Sequence, residues 1–489
     1  MRRIVNLLTN QYFWLGVILV LAFLVRLYKI DSPIADWHSW RQTDTAAVTR
    51  NFIKLGFNPF YPKYDDMSGV SEMPMVNTEQ YRFVEFPIYN IFVYPLYLLF
   101  GINDSFHRLV SVLFSLGSIV FVYLISKRYL DIFTSFIATT IYALLPFNVF
   151  FSRTTLPEPT FLFFALGMVY FSDRAIWERR FAWGIWGFVF TMIAFLMKPW
   201  AIFFVFPLVY SIFVKEKKIS GFLKYGGLFL LAITPFLLWR LWILQQPQGI
   251  PASSWLLNGD GIRFRPAFFW WLVSERLGRE ILSVAGFALF VIGVLIKQKS
   301  YFLHIWLASM ILYFSIVATG NVRHNYYQYI FVPIGAIFLS IGLVSLIKGI
   351  PNNLARIWTI PVAFMLLLLT FYFTFKVDKE FYKINNPAIV EAGKVADKLL
   401  PKNAIVLAPY NGDTAFLYQI NRGGFPFVYL PVKEMVADYG VTHYVSTTKD
   451  AKTTWVMRHF QPLLESDQFI IVDLTKLNAP FDDNLDPEP

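Results

Sequence analysis

The sequence has no cysteine, which excludes disulfides, thiolate nucleophiles and thiolate metal sites. Charge is scarce as well. Only 15% of the 489 residues are Asp, Glu, Lys or Arg, against about 25% in a soluble domain. The six histidines show no metal-ligand spacing, so neither a metal nor any other cofactor is expected. No glycine-rich phosphate loop and no dinucleotide fingerprint occurs, which argues against a soluble nucleotide as a direct substrate. Nor is there an internal repeat, the signature of many secondary transporters.

What is abundant is apolar. Hydrophobic residues make up 56% of the chain and aromatics 19%, in long blocks almost free of charge, as membrane spans require. Eleven runs could cross about 30 Å of hydrocarbon: 12–30, 107–126, 132–151, 160–172, 183–197, 199–214, 222–244, 280–296, 301–319, 326–347 and 358–375. A twelfth, 86–100, is short and interrupted by Pro87, Asn90 and Pro95.

The net charge is +11, and its placement points to a membrane rather than to nucleic acid. From Lys376 onward the chain carries 12 basic and 15 acidic residues. The basic excess sits in short loops at 126–129, 173–180 and 215–218, as the positive-inside rule describes. If 86–100 spans fully, every basic loop falls outside. If it is a half-embedded helix, they all become cytoplasmic. The expectation is therefore an eleven-span, mainly α bundle over 1–375 in the inner (plasma) membrane, with the Arg2–Arg3 end cytoplasmic. The first run is read as a retained span, since no small-residue cleavage site follows it. Outer loops then lie at 31–106, 152–159 and 245–279. Residues 376–489 read as a small extracytoplasmic α/β domain: strand-like runs at 404–408, 442–446 and 469–472 alternate with helical patterns at 387–400, 413–419 and 432–439. The acidic, proline-rich 480–489 tail reads as disordered.

The chemistry-bearing residues fall on the outer side of this topology. Asp36, His38, Arg41, Asp44 and Arg50 crowd into the first loop. The spacing from 44 to 52 is helical, and Asp44 could cap that helix. A carboxylate held there beside arginines can act as a general base toward an incoming hydroxyl; an amphipathic surface helix with ordinary salt links is the plainer alternative. Glu85 opens the 86–100 helix, where the helix dipole alone would favour a carboxylate. The 151–159 turn carries Arg153 and Glu158, the latter fixed between Pro157 and Pro159. Lys198 lies between two apolar runs, and Arg323, His324 and Tyr327 precede a later one. Each of these cations alone could be a snorkelling anchor. Together, Arg153, Lys198 and Arg323 place positive charge on the wrong face for the positive-inside rule, an arrangement that suits a phosphate ligand.

In order and spacing these segments resemble the GT-C glycosyltransferases, in the branch of protein O-mannosyltransferases and the aminoarabinose transferases of lipid A. The resemblance runs from residue 12 to residue 333. It comprises the acidic loop helix at 40–52, Glu85-Phe86-Pro87, Phe100-Gly101 with Arg108-Leu109-Val110-Ser111, the Arg153–Pro159 turn, Lys198-Pro199 and the basic, tyrosine-rich 323–333 stretch. It implies transfer of a hexosyl or pentosyl group from a polyprenyl-phosphate donor to a hydroxyl of a lipid, glycan or protein acceptor, at the outer face, with inversion and no metal. It also implies Asp44 or Asp36 as base, Glu158 as a second acid, and Arg153, Lys198 and Arg323 as phosphate binders; His38, Arg41, Glu85, His324 and Tyr327 would line the substrate site. One departure stands out. The family usually has an Asp-Glu pair at the helix start, where this chain has Arg41-Gln42. A flippase of lipid-linked glycans would instead show charges deep in its spans, where Arg26 is one of few. A glycan polymerase or ligase would show an arginine-rich late outer loop, and Arg263, Arg265, Arg276 and Arg279 in 245–279 keep that reading open.

Overall fold

The computed structural model describes residues 10–73, 75–216, 218–349 and 356–479. Arg2, Arg3, Lys217 and the 480–489 tail lie outside the described residues. The chain forms two compact units. One is drawn from Met1–Ile30, Arg108–Leu241 and Ser253–Tyr382, the other from Asp31–His107, Trp242–Ala252 and Lys383–Pro489.

The first unit is helical. All eleven apolar runs are helical in the structure, but they differ in length and continuity. Among the described residues, four stretches are long and apolar enough to cross a membrane: Ser105–Tyr129, Ile219–Ile243, Asn325–Lys348 and Arg356–Leu399. Pro266–Ile281 and Ser283–Leu295 would count together as a fifth, bent by 109°. Others are shorter, such as Gln11–Arg26 and Phe181–Met197, or broken at proline. Pro146 ends Ile132–Leu144 and starts Pro146–Phe151, with Leu145 between them extended at ψ 123; proline forces the residue before it out of the helical region. Pro199 likewise opens a tight 3₁₀ turn, Pro199–Phe204, ahead of Phe206–Lys215. Helices Ser283–Leu295 and Val332–Lys348 cross at paired glycines. A Cβ on Gly293 would lie 1.8 Å from the Phe338 carbonyl oxygen, and one on Gly342 would lie 1.9 Å from that of Leu289. Small residues of this kind let backbones approach where no water drives helices together.

The second unit combines the C-terminal α/β fold with the first loop. Its sheet contains β1 (Val406–Leu407), β2 (Gly424–Phe425), β3 (His443–Ser446), β4 (Phe460–Glu465) and β5 (Ile470–Leu477), in the order β2-β1-β3-β5-β4. The β1 strand is parallel to β2 and β3, and β5 is antiparallel to β3 and β4. Successive side chains on a strand face opposite sides. Thus Val406, Val445 and Ile471 enter one core with Pro387–Leu399 and Ala415–Ile420. Leu407, Tyr444, Ile470 and Val472 enter another with Val432–Tyr439 and Ala451–His459. First-loop residues complete both cores, Ala35 in the first and Met67 in the second. The loop also extends the sheet at β2, where Met67 N–H donates to Gly424 O at 2.8 Å and Gly424 N–H to Asp65 O at 2.9 Å.

Two first-loop helices pack on each other inside this unit. Ser39–Lys54 buries 13 of its 16 residues despite a polar sequence. Ile88–Phe100 has 13 residues, about 20 Å of helix, which is short of the ~30 Å a span needs. It is pinned by Asn90, whose amide donates to Thr45 O at 2.7 Å and Thr49 Oγ1 at 2.8 Å.

Candidate active site

The sequence puts Asp44 at a helix N-terminus; the structure corrects this. The helix begins at Ser39 with His38 at its N-cap, so Asp44 lies inside it. Thr43 and Thr45 hydroxyls return to the carbonyls of Ser39 and Arg41, each at 2.9 Å. Such bonds let a polar helix run earlier than hydrophobic spacing suggests. Asp44 is buried, and both of its oxygens are taken. Arg82 Nη2 donates to Oδ2 at 2.7 Å, and Thr414 Oγ1 donates to Oδ1 at 2.7 Å.

Around this pair stand two further acids, Asp66 buried and Asp413 half-buried. Asp413 accepts from Ser39 Oγ at 2.8 Å and from Ala415 N–H at 2.7 Å. Asp66 accepts from Ser68 N–H at 2.8 Å and from Tyr64 Oη at 3.4 Å. The Arg82 guanidinium lies 5.0 Å from the Tyr64 ring. Burial pushes the carboxyls of Asp66 and Asp413 up to about 6, and the Asp44 charge adds to both shifts. Below pH 6 the folded unit holds protons that an unfolded carboxyl, with its pKa near 3.9, has already lost. Stability therefore falls as pH rises from about 4 to 6. Asp413→Asn is expected to raise the thermal midpoint most at pH 7.5, by about half as much at pH 5, and hardly at all at pH 4, as read by thermal unfolding of the purified protein. Equal destabilisation at all three pH values would show that the Asp413 charge is not the cost.

The departure at Arg41-Gln42 has a structural counterpart. Arg41 forks onto Glu85 at 2.6 and 2.8 Å, and Gln42 Nε2 donates to Asp36 Oδ1 at 2.6 Å and to Trp37 O at 2.8 Å. Carboxylates are thus present at the helix start, supplied by residues outside the dipeptide. Asp36 is buried immediately before the helix. Trp37 is exposed, and its ring lies 5.2 Å from the half-buried His38 ring. His38 holds a left-handed conformation, φ 56, which is uncommon for a side chain with a Cβ. Arg50 forms an ion pair with Asp65 and donates to Tyr418 O at 2.8 Å, bracing the far end of the helix.

In the helical unit, Glu158 opens helix Glu158–Glu178 and Lys198 ends Phe181–Met197. The two are buried and paired at 2.5 Å, Lys198 Nζ donating to Glu158 Oε1. Glu158 Oε2 has no hydrogen-bond partner among the described residues. Arg153 is fully buried; it donates to Lys29 O at 3.1 Å and lies 4.9 Å from the Tyr382 ring. The turn around it is fixed, since Arg26 Nε donates to Ser152 Oγ at 2.6 Å and Ser111 Oγ to Thr154 O at 2.7 Å. Arg26, a mid-span charge in the sequence, therefore acts as an internal brace. Arg323 is exposed, 3.4 Å from Asp260 and 5.2 Å from the Trp255 ring. His324 stacks on Tyr326 at 5.5 Å and lies 6.2 Å from the Tyr327 ring. The four arginines of 245–279 are all engaged: Arg263 and Arg265 with backbone carbonyls, Arg276 with Glu280 and Val322 O, Arg279 with Glu275.

The structure thus gathers Asp36, Asp44, Arg41 and Glu85 in one unit and Glu158, Lys198 and Arg153 in the other. Sequence reading missed Arg82, Thr414, Asp413 and Asp66. No spacing rule links residues 44, 82 and 414. Asp413 carried only the signal of a residue that opens the helical pattern at 413–419.

The chain, with a helical membrane unit and an α/β unit that incorporates the acidic first loop, has the fold of the GT-C membrane glycosyltransferases. Residues 87–242 match the family model described as dolichyl-phosphate-mannose-protein mannosyltransferase. No curated protein matches the chain by sequence. Among solved structures, ArnT from Cupriavidus metallidurans in the apo state superposes with a TM-score of 0.62 at 13% identity, covering 94% of this chain and 97% of that one. The same protein bound to undecaprenyl phosphate gives 0.58 at 14% identity, with 94% and 97% covered. The oligosaccharyltransferase AglB from Archaeoglobus fulgidus, in complex with an inhibitory peptide and a dolichol-phosphate, gives 0.55 at 11% identity, with 89% and 69% covered.

Proposed function

We propose that the chain transfers a sugar from a polyprenyl-phosphate carrier to a hydroxyl of a lipid, glycan or protein acceptor, at the outer face of the plasma membrane. The observation that carries the assignment of the base is the contrast between the two first-loop aspartates. Asp44 is locked inside a buried helix with both oxygens bonded. Asp36 is as buried as Asp44, but it lies before the helix start rather than inside the helix, next to exposed Trp37, and Gln42 holds its carboxylate. A general base must come within hydrogen-bond reach of the proton it takes, and an aromatic face beside it offers a surface for a sugar ring. We therefore assign the base to Asp36 and a bracing role to Asp44.

In this reading the acceptor oxygen attacks the anomeric carbon as Asp36 takes its proton, the lipid phosphate leaves, and one displacement inverts the centre. Lys198 turns from Glu158 to the departing phosphate, where negative charge develops. Glu158 Oε2 accepts from a sugar hydroxyl. Arg323, exposed at its turn, supplies a second positive charge to the phosphate. Neither a metal nor another cofactor is required. The matches to the mannosyltransferase family model and to the ArnT structures support this class of enzyme.

The test is transfer of radiolabelled sugar from polyprenyl-phosphate donors by membranes carrying each variant. Asp36→Asn is expected to lower transfer by about 10²–10⁴-fold with the protein still folded in detergent. Wild-type transfer by Asp36→Asn removes that residue from the role of base.

A further inference from the structure

The helical unit holds a cavity of about 580 Å³ between helices Glu158–Glu178, Phe181–Met197, Phe206–Lys215 and Ile219–Ile243. Its volume lies in the range of ~300–1,000 Å³ typical of small-ligand sites. The walls are apolar, with Met168, Phe188, Leu208 and Phe229 among them. Two glycines keep it open. A Cβ built on Gly184 or on Gly226 meets no atom within 4 Å, so a larger side chain there would enter the cavity without displacing the fold.

The polar side chains at this cavity include three cations, Arg179, Arg180 and Lys224. Arg179 is engaged with Glu216 at 2.9 Å. Arg180 and Lys224 are exposed and form no ion pair among the described residues. An apolar cavity that ends at unneutralised cations is complementary to a molecule with an anionic head and a hydrocarbon tail. Basic pockets between membrane helices bind anionic lipid headgroups in this way.

We propose that this cavity is a binding site for one anionic glycerophospholipid, its phosphate on Arg180 and Lys224 and an acyl chain against the apolar wall. By the positive-inside rule the basic 173–180 loop is cytoplasmic, and on that reading the lipid comes from the inner leaflet. A polyprenyl-phosphate donor reacting at the outer face keeps its phosphate on the other side, which is why the site is assigned to a structural lipid and not to the donor.

Native mass spectrometry of the full-length protein in detergent tests this, with dioleoylphosphatidylglycerol as probe, dioleoylphosphatidylcholine as neutral control and undecaprenyl phosphate as competitor. The expected result is one retained phosphatidylglycerol, bound roughly tenfold more tightly than phosphatidylcholine. Arg180→Gln/Lys224→Gln should abolish that preference. Gly184→Leu should weaken both lipids alike, because it fills the cavity and leaves the charge. Should Gly184→Leu fail to stay monodisperse, the double charge variant, which alters only exposed side chains, decides alone. Equal retention of the two glycerophospholipids, full preference in the double variant, or displacement of phosphatidylglycerol by undecaprenyl phosphate would each overturn the proposal. Loss of sugar transfer in the Asp36 variant has no bearing on this result, so the two proposals fail separately.

Discussion

Lys198→Met is expected to destabilise the helical unit by about 3–5 kcal/mol, because it strands a buried carboxylate. Glu158 is 3% exposed, and among the described residues its one side-chain hydrogen-bond partner is Lys198 Nζ. Glu158→Gln strands the ammonium instead and should be costly for the same reason. The double variant Glu158→Gln/Lys198→Met removes both charges and should be less destabilised than the sum of the two single variants. Unfolding in a denaturing detergent series, on wild type and all three variants, gives the coupling directly. Simple additivity would mean that the pair does not act as a unit. Transfer should fail in all three, since the proposed reaction uses both residues; stability rescue without activity rescue therefore separates architecture from chemistry.

Arg82→Met should have the second largest effect, again about 3–5 kcal/mol at neutral pH. Arg82 is the cation paired with Asp44, and Asp66 and Asp413 crowd the same place. Without it, Asp44 loses its paired cation while Asp66 and Asp413 stay close enough to add their charge. The loss should shrink as pH falls toward 5, because Asp66 and Asp413 take up protons near pH 6 and relieve the repulsion. Thermal unfolding of the variant at pH 7.5 and pH 5 measures this. A deficit that stays constant with pH would leave shape, rather than charge, as the contribution of Arg82.

Much of the fold is legible from the sequence because its signals are local. The apolar runs become helices, and the three helical patterns of the C-terminal region appear as Pro387–Leu399, Ala415–Ile420 and Val432–Tyr439. The strands read at 404–408 and 442–446 contain β1 and β3, and the run at 469–472 covers only the first residues of β5, which continues to Leu477. Strand β2 escapes notice because it has two residues and begins with glycine. A Cβ on Gly424 would lie 1.8 Å from Val406 O, so close strand contact, not strand propensity, sets that residue. Strand β4 escapes because Pro462 interrupts it, and proline within a run normally demotes a strand.

The site is only half legible, for a related reason. Composition and order point to Asp36, Asp44, Glu158 and Lys198 as special, but partnership is a matter of three dimensions. Lys198 reads as a free phosphate binder, yet it is bonded to Glu158. Asp44 reads as a candidate base at a helix start, yet it is enclosed by Arg82 and Thr414. The Arg41-Gln42 departure reads as a loss of acid, yet Glu85 and Asp36 restore it from other parts of the loop.

The bond from Thr414 to Asp44 joins positions 370 residues apart. During synthesis at ~5–20 residues per second, the loop helix would wait roughly 20–70 s for the threonine that completes it. Through that interval Asp44 and the apolar residues of the loop have no C-terminal cores to enter, and sequence-distant contacts of this kind form slowly in any case. A ribosome that stops early, or a protease that trims the C-terminus, would thus release a chain whose first loop cannot close. Closure of the first loop is thereby conditional on synthesis having passed Thr414.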